Sequence, residues 1–184
     1  MTILSFDIED LPEAHEDALR ALLREAYRRD VTSDDDDDED EEDDDGDDDG
    51  DEEPFRVFLM VEEGGAVVGG LLAYKRTATA NGVPFGLGLI GTVATRKSHR
   101  RQGIATRLVL AAHDYFRGKG VRFSVLFAFD PDVYRGMGYR EIEGSLTYRN
   151  GASAVTERVK GSMVCPLADE AWPEGAVDLR GGLV

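Results

Sequence analysis

The segment Thr92-Val93-Ala94-Thr95-Arg96-Lys97-Ser98-His99-Arg100-Arg101-Gln102-Gly103-Ile104-Ala105-Thr106 reads as the end of a strand, a basic loop and the first turn of a helix. A helix start leaves backbone N–H groups unpaired and carries the positive end of the helix dipole, so it suits a phosphate or pyrophosphate. Small residues at Gly103 and Ala105 would let such a group approach the backbone, and Arg100 and Arg101 add charge. On residue types alone, a second reading is equally good. The arginines would be merely solvated and Gly103 merely a turn residue.

Those residues need a strand and a helix to hold them. Ile104, Leu108, Ala111, Ala112 and Tyr115 lie at i, i+4, i+7, i+8 and i+11, one continuous apolar helix face, and Gly118 and Gly120 stop it. Phe123–Phe129 is almost wholly apolar, as a strand buried on both faces should be. Upstream, Asp10-Leu11-Pro12-Glu13 predicts a helix start with Asp10 as the cap, and Leu19, Leu22, Leu23 and Ala26 carry the helix towards Asp30. Phe55–Val61 and Ala66–Tyr74 predict a hairpin around Glu62-Glu63-Gly64-Gly65. A loop near Thr77–Pro84 should lead to a strand ending at Val93 or Thr95. Further strands are expected at Tyr139–Tyr148 and Thr156–Val164, followed by an irregular tail. Strands dominate around one strand–helix–strand unit, so the expected fold class is α/β, or a mixed α+β sheet, in a single domain over 1–184.

Composition excludes several functions. The formal net charge is −17, yet residues 34–53 hold 18 of the 38 acidic residues, and the remaining 20 face 21 Lys and Arg. The body is therefore nearly neutral, which rules out a salt-adapted surface. A nucleic-acid binder is disfavoured, because it needs a net basic face and the tract would repel phosphates. The tract is expected to be a solvated, disordered insert. It could alternatively lure a cationic acceptor such as a polyamine, an aminoglycoside or a basic protein tail, or bind a basic partner protein. The one cysteine, Cys165, permits no intramolecular disulfide and no cysteine-cluster metal site. The N-terminus lacks the pattern of a signal peptide, and no apolar run approaches the ~20 residues that span a bilayer. A soluble cytoplasmic protein without membrane, nucleic-acid or metal partners is the expectation, and exposed strand edges or the tail could form a homodimer.

Three motif matches fail on context. Gly86-Leu87-Gly88-Leu89-Ile90-Gly91 fits a dinucleotide-binding pattern but lies in or before a strand, with no helix until Gly103. Arg117-Gly118-Lys119-Gly120 lacks the rest of a phosphate-binding loop. Asp45-x-Asp47-x-Asp49-Gly50 begins like a calcium loop, but Arg56 stands where the closing glutamate is required.

Arg100-x-x-Gly103-x-Ala105, preceded by Gly91-Thr92-Val93-Ala94-Thr95, resembles the coenzyme-binding motif and strand of the GNAT N-acetyltransferase superfamily. Further on, Asp130-Pro131-Asp132-Val133-Tyr134-Arg135-Gly136-Met137-Gly138-Tyr139 resembles the family's Asp-Pro-x-x-Tyr-x-x-x-Gly-Phe/Tyr segment. The resemblance implies a mostly antiparallel twisted sheet, splayed at the coenzyme strands and flanked by helices. It implies acetyl transfer from acetyl-coenzyme A, the co-substrate, by direct attack of an amine. Backbone groups of Val93, Ala94 and Thr95 would pair with the pantetheine arm, and Arg100 with the amides of Arg101, Gln102, Gly103, Ile104, Ala105 and Thr106 would surround the pyrophosphate. Tyr134 matches the position of the family's acid. A tyrosine that ionises near pH 10 is protonated at neutral pH and can donate as charge develops on sulfur. Packing against the coenzyme or the core is its plainer role. Glu62, Glu63, His99 and Glu141 are all possible bases by type, without a spacing argument for any, and His99 is expected to be exposed. A non-catalytic acyl-coenzyme A sensor and an interaction protein working through residues 34–53 are the rival functions.

Overall fold

The computed structural model describes residues 1–27 and 56–183. The acidic tract 34–53 and the expected helix end near Asp30 lie outside them. The described elements are β1 (Thr2–Asp7), α1 (Glu13–Tyr27), β2 (Arg56–Val61), β3 (Val67–Ala80), β4 (Val83–Thr95), α2 (Ile104–Gly118), β5 (Phe123–Phe127), α3 (Asp132–Arg135), β6 (Arg140–Glu141), β7 (Leu146–Asn150), β8 (Ser153–Glu157), β9 (Ser162–Pro166) and β10 (Val177–Asp178). One ten-stranded sheet runs β6-β9-β5-β4-β3-β10-β7-β8, with β2 also on β3 and β1 on β2. Among the described residues only β4–β5 and β10–β7 pair in parallel.

The central strands β2–β5 are covered on both faces, and strand alternation sorts their side chains. From β2, Val57, Leu59 and Val61 meet Leu19 and Leu22 of α1, while Phe58 and Met60 meet Ile104, Leu108 and Phe116 of α2 on the opposite face. The C-terminal segment extends the α1 side, where Trp172, Val177 and Leu179 pack on Leu87, Leu89, Phe123 and Val125. Trp172 stands edge-on to Phe123 and Phe85, with ring centroids at 5.2 and 6.0 Å. The hairpin expected over 55–74 and the long apolar helix after Gly103 are present.

Other expectations are corrected. The loop expected near Thr77–Pro84 is a two-residue turn between long strands. Ala80 pairs with Val83, and Asn81 and Gly82 take φ +50° and +79°, as a tight hairpin turn requires. Alternating burial at Ala78 and Ala80 keeps this stretch in the sheet, and Pro84 is tolerated because β5 pairs with β4 only from Leu87. The expected strand Phe123–Phe129 stops at Phe127, where pairing with β4 and β9 has run out, and Phe129 stands 99% exposed. The expected strand Tyr139–Tyr148 is divided into β6 and β7, each with a different partner, and Thr156–Val164 into β8 and β9. Residues Thr2–Asp7 form β1 against β2, and the tail contributes β10 instead of staying irregular. Helix α1 starts after Pro12, whose carbonyl accepts from Glu16 N–H at 3.0 Å, and Asp10 belongs to a preceding 3-10 turn.

The glycines of the Gly86–Gly91 stretch are strand residues. A Cβ on Gly88 would stand 2.6 Å from the Phe116 ring, so this glycine lets α2 lie close on β4. Gly88→Ala should therefore cost about 1–3 kcal/mol of stability through overpacking, read as a lower urea midpoint at unchanged slope.

Candidate functional site

The site begins where the parallel pair ends. Strands β4 and β5 are in register from Leu87↔Phe123 to Ile90↔Leu126 and pair no further. Against β3, Gly91 faces Leu72 and Ala94 faces Gly70, so Thr92 and Val93 together oppose the single residue Leu71. This is a β-bulge, a device that bends a strand and ends its pairing. Thr92 takes φ +48°, a left-handed conformation costly for a β-branched residue. Beyond it Ala94 and Thr95 pair again with β3 on one edge, and Val93, Ala94 and Thr95 have no β5 partner on the other.

The chain then turns into α2. Arg96 N–H donates to Val68 O at 3.0 Å, a 3-10 turn covers Lys97–His99, and left-handed Arg101 (φ +62°) and Gly103 (φ +74°) aim the helix start. Gly103 O accepts the first helical bond, from Arg107 N–H at 3.0 Å. Among the described residues no carbonyl accepts from the N–H groups of Arg101, Gln102, Gly103, Ile104, Ala105 or Thr106. A Cβ on Gly103 would meet nothing within 4 Å, so the space before these donors is open. Arg100 and Arg101 are exposed and have no carboxylate partner among the described residues, although Arg100 Nε reaches Thr95 O at 3.5 Å. Gln102 folds its amide back onto Ser98 O at 3.5 Å. The structure thus joins the predicted strand end, loop and helix start into one cradle of amides and cations, suited to a diphosphate.

Tyr134 lies on α3, which follows β5, and packs half-buried against the same hydrophobic cluster as Val93. Its phenol has no hydrogen-bond partner among the described residues. Burial first, and the nearby Tyr27 phenol second, push its ionisation up to about 12, so it stays protonated. Its ring meets Tyr139 edge-on at 6.0 Å. The Tyr139 hydroxyl is buried between Ser124 Oγ (2.6 Å) on β5 and His113 Nε2 (2.8 Å) on α2. This network fastens the floor under Tyr134, and sequence reasoning missed it. Nothing in the spacing of 113, 124 and 139 brings the three together.

Two further residues emerge only in three dimensions. Tyr27, at the end of α1, donates to Val93 O at 3.2 Å, and Glu25 accepts from Lys97 N–H at 2.9 Å. The four possible bases separate. His99 is not exposed as expected. Its Nε2 lies 3.1 Å from Glu62 and its Nδ1 2.8 Å from Ser98 Oγ, because the 3-10 turn points it at the β2–β3 turn. Glu141 is paired with Arg135 at 2.6 Å, and Glu63 is exposed in a turn. Among the described residues no group of three His, Cys, Asp or Glu could hold a metal ion, and no helix is long and apolar enough to cross a membrane.

Residues 7–142 match the acetyltransferase (GNAT) domain family, and the chain belongs to it. Solved structures share the fold. A GNAT family N-acetyltransferase (YhbS) from Escherichia coli in complex with CoA is 17% identical, covers 97% of this chain and 88% of its own, and has a TM-score of 0.61. An acetyltransferase of the GNAT family from Staphylococcus aureus Mu50 is 12% identical at TM-score 0.55, covering 91% of this chain and 100% of its own. An aminoglycoside acetyltransferase, meta-AAC0020, from an uncultured soil metagenomic sample in complex with trehalose is 22% identical at TM-score 0.52, covering 74% and 86%. No curated protein sequence matches the chain.

The buried network makes a pH prediction. Burial, with help from Arg117 and against Asp114, lowers the ionisation of His113 from 6.5 to about 4, so the folded protein holds it neutral. Below pH 6.5 the unfolded chain takes up a proton that the folded one refuses. Stability is therefore lost as pH falls from 6.5 towards 4, by about 3 kcal/mol at pH 4. Urea melts across that range should show wild type losing about that much more than His113→Gln.

Proposed function

We propose that this chain is an N-acetyltransferase, a single domain over 1–184, that moves an acetyl group from acetyl-coenzyme A to an amine by direct attack. The carrying observation is the join between the β4–β5 splay, with its open amide cradle at Arg101–Thr106, and the protonated Tyr134, whose phenol has no hydrogen-bond partner among the described residues. The donor set fits the group. Six amides without a carbonyl partner and two arginines without a carboxylate partner among the described residues suit a diphosphate, and the stretch Val93–Thr95, which has no β5 partner, offers backbone groups to a pantetheine arm. Bound acetyl-coenzyme A would supply an activated thioester.

The residues of the chain then bind and donate. Arg100 and the amides of Arg101, Gln102, Gly103, Ile104, Ala105 and Thr106 hold the phosphates, while Val93, Ala94 and Thr95 orient the arm. Tyr134 acts as the acid towards sulfur. Its phenol ionises at about 12. A thiol ionises near 8.5, so complete proton transfer alone is uphill by roughly 3.5 pH units, about 5 kcal/mol. The donation that matters is thus a hydrogen bond to sulfur while its charge is still developing. The proton finally gained by sulfur balances the one lost by the attacking amine.

Calorimetric titration with acetyl-coenzyme A and coenzyme A should give micromolar binding of both, with NAD silent. Gly103→Glu should place a carboxylate in the cradle and weaken that binding at least a hundredfold while the circular dichroism stays native. Unchanged affinity in a folded variant would remove the proposed site. Tyr134→Phe should leave affinity within twofold and slow thiol release with an amine acceptor about 10- to 100-fold, the worth of one hydrogen bond to a charged group. An unaltered rate would remove the acid role.

A further inference from the structure

The stretch of β4 that receives the coenzyme in the reading above is held on one edge only. Beyond Ile90 it has no contact in register with β5, and its pairing to β3 resumes only at Ala94↔Gly70 and Thr95↔Gly69, after the bulge. Thr92, at φ +48°, adds strain that a looser segment would release. A binding segment works only if its groups stay within about 0.5 Å of the productive position. Something must supply the missing edge.

The last turn of α1 does so at both ends of the segment. Tyr27 Oη donates to the Val93 carbonyl at 3.2 Å, and Glu25 Oε1 accepts from the Lys97 amide at 2.9 Å. The helix that carries them is anchored. Leu19 and Leu22 are buried with Ala94 itself, and a Cβ on Gly70 would stand 2.8 Å from Leu19 Cδ1. The helix thus has a fixed seat on the sheet, and its final turn reaches across the splay. Tyr27 also lies close enough to Tyr134 to help raise the ionisation of its phenol, which puts this turn beside the proposed reacting end of the site.

We propose that Tyr27 and Glu25 are positioning residues, which hold Val93–Lys97 in the coenzyme-receiving conformation through the Val93 carbonyl and the Lys97 amide. The inference rests on the coenzyme reading. Neither residue touches the diphosphate cradle. Both hydrogen bonds are solvent-accessible, so they set local order with little effect on global stability.

Amide hydrogen exchange on the free protein and calorimetric titration with coenzyme A test this together. Tyr27→Phe and Glu25→Ala should each speed exchange of the 94–97 amides about tenfold. Each should weaken coenzyme A binding about 3- to 10-fold and shift the melting temperature by no more than about a degree. Glu25→Gln, whose side-chain oxygen can still accept from Lys97 N–H, should restore slow exchange and most of the affinity. A merely structural residue would move the melting temperature, and Gln would not rescue its loss. Unchanged exchange in both variants of a protein that binds coenzyme A overturns the clamp. Faster exchange with unchanged affinity overturns its link to binding. If wild type binds no coenzyme A, the coenzyme reading itself falls and takes this inference with it, whatever exchange shows.

Discussion

The bulge at Thr92–Val93 is the constraint on which the rest of the structure depends. Two residues opposite one shorten the strand's register against β3, bend it, and end its parallel pairing with β5 at Ile90. A left-handed threonine costs on the order of 1–2 kcal/mol. That cost is sustained because the chain on both sides is over-determined. Gly91 back to Val83 is locked to β3, and Ala94 is buried under α1. The gap between β4 and β5 is therefore a fixed feature of the fold, and backbone groups that a regular sheet would pair are left for another partner.

Helix α2 depends on the same bend. Its apolar face, Ile104 through Phe116, is committed to the sheet, and Gly88 lets Phe116 settle directly on β4. With the helix so placed, its first turn must face the splay, and left-handed Arg101 and Gly103 complete the approach. The amides left without a carbonyl partner among the described residues are thus a by-product of how the helix packs on the sheet. The buried Ser124–Tyr139–His113 set gives Tyr134 a similar support, because it links β5, α2 and the segment after α3 through one hydroxyl. Charge placement agrees. The body outside residues 34–53 is near neutral, yet Arg100 and Arg101 have no carboxylate partner among the described residues, so the local field there favours an anion.

Much of the candidate site was legible because its determinants are local. The Gly103-x-Ala105 step, the preceding basic loop and the 104–115 apolar face all act within a few turns of chain, and Tyr134 lies in a contiguous motif. The Asn81-Gly82 turn was equally local. It was obscured by Thr77–Pro84, whose threonines and proline suit both a loop and an edge strand. The division of Tyr139–Tyr148 was not legible. Arg140 and Leu146 are extended in the same way, and only their partners, β9 and β10, distinguish them.

The sequence by itself determined the resemblance to the family, the anion-suited helix start and the candidate phenol, since each follows from residue types a few positions apart. Tertiary structure alone decided the rest. The bulge is a mismatch between Thr92–Val93 and Leu71, more than twenty residues away, and exists only as a pairing. The tail became core because Trp172 and Val177 found apolar partners on distant strands. Tyr27, separated from Val93 by 66 positions, became part of the site through one hydrogen bond. Burial, which raises Tyr134 and lowers His113, is likewise a property of the assembled surroundings. Local spacing encodes which groups are available, whereas which of them meet is settled by the packing of both faces of the sheet.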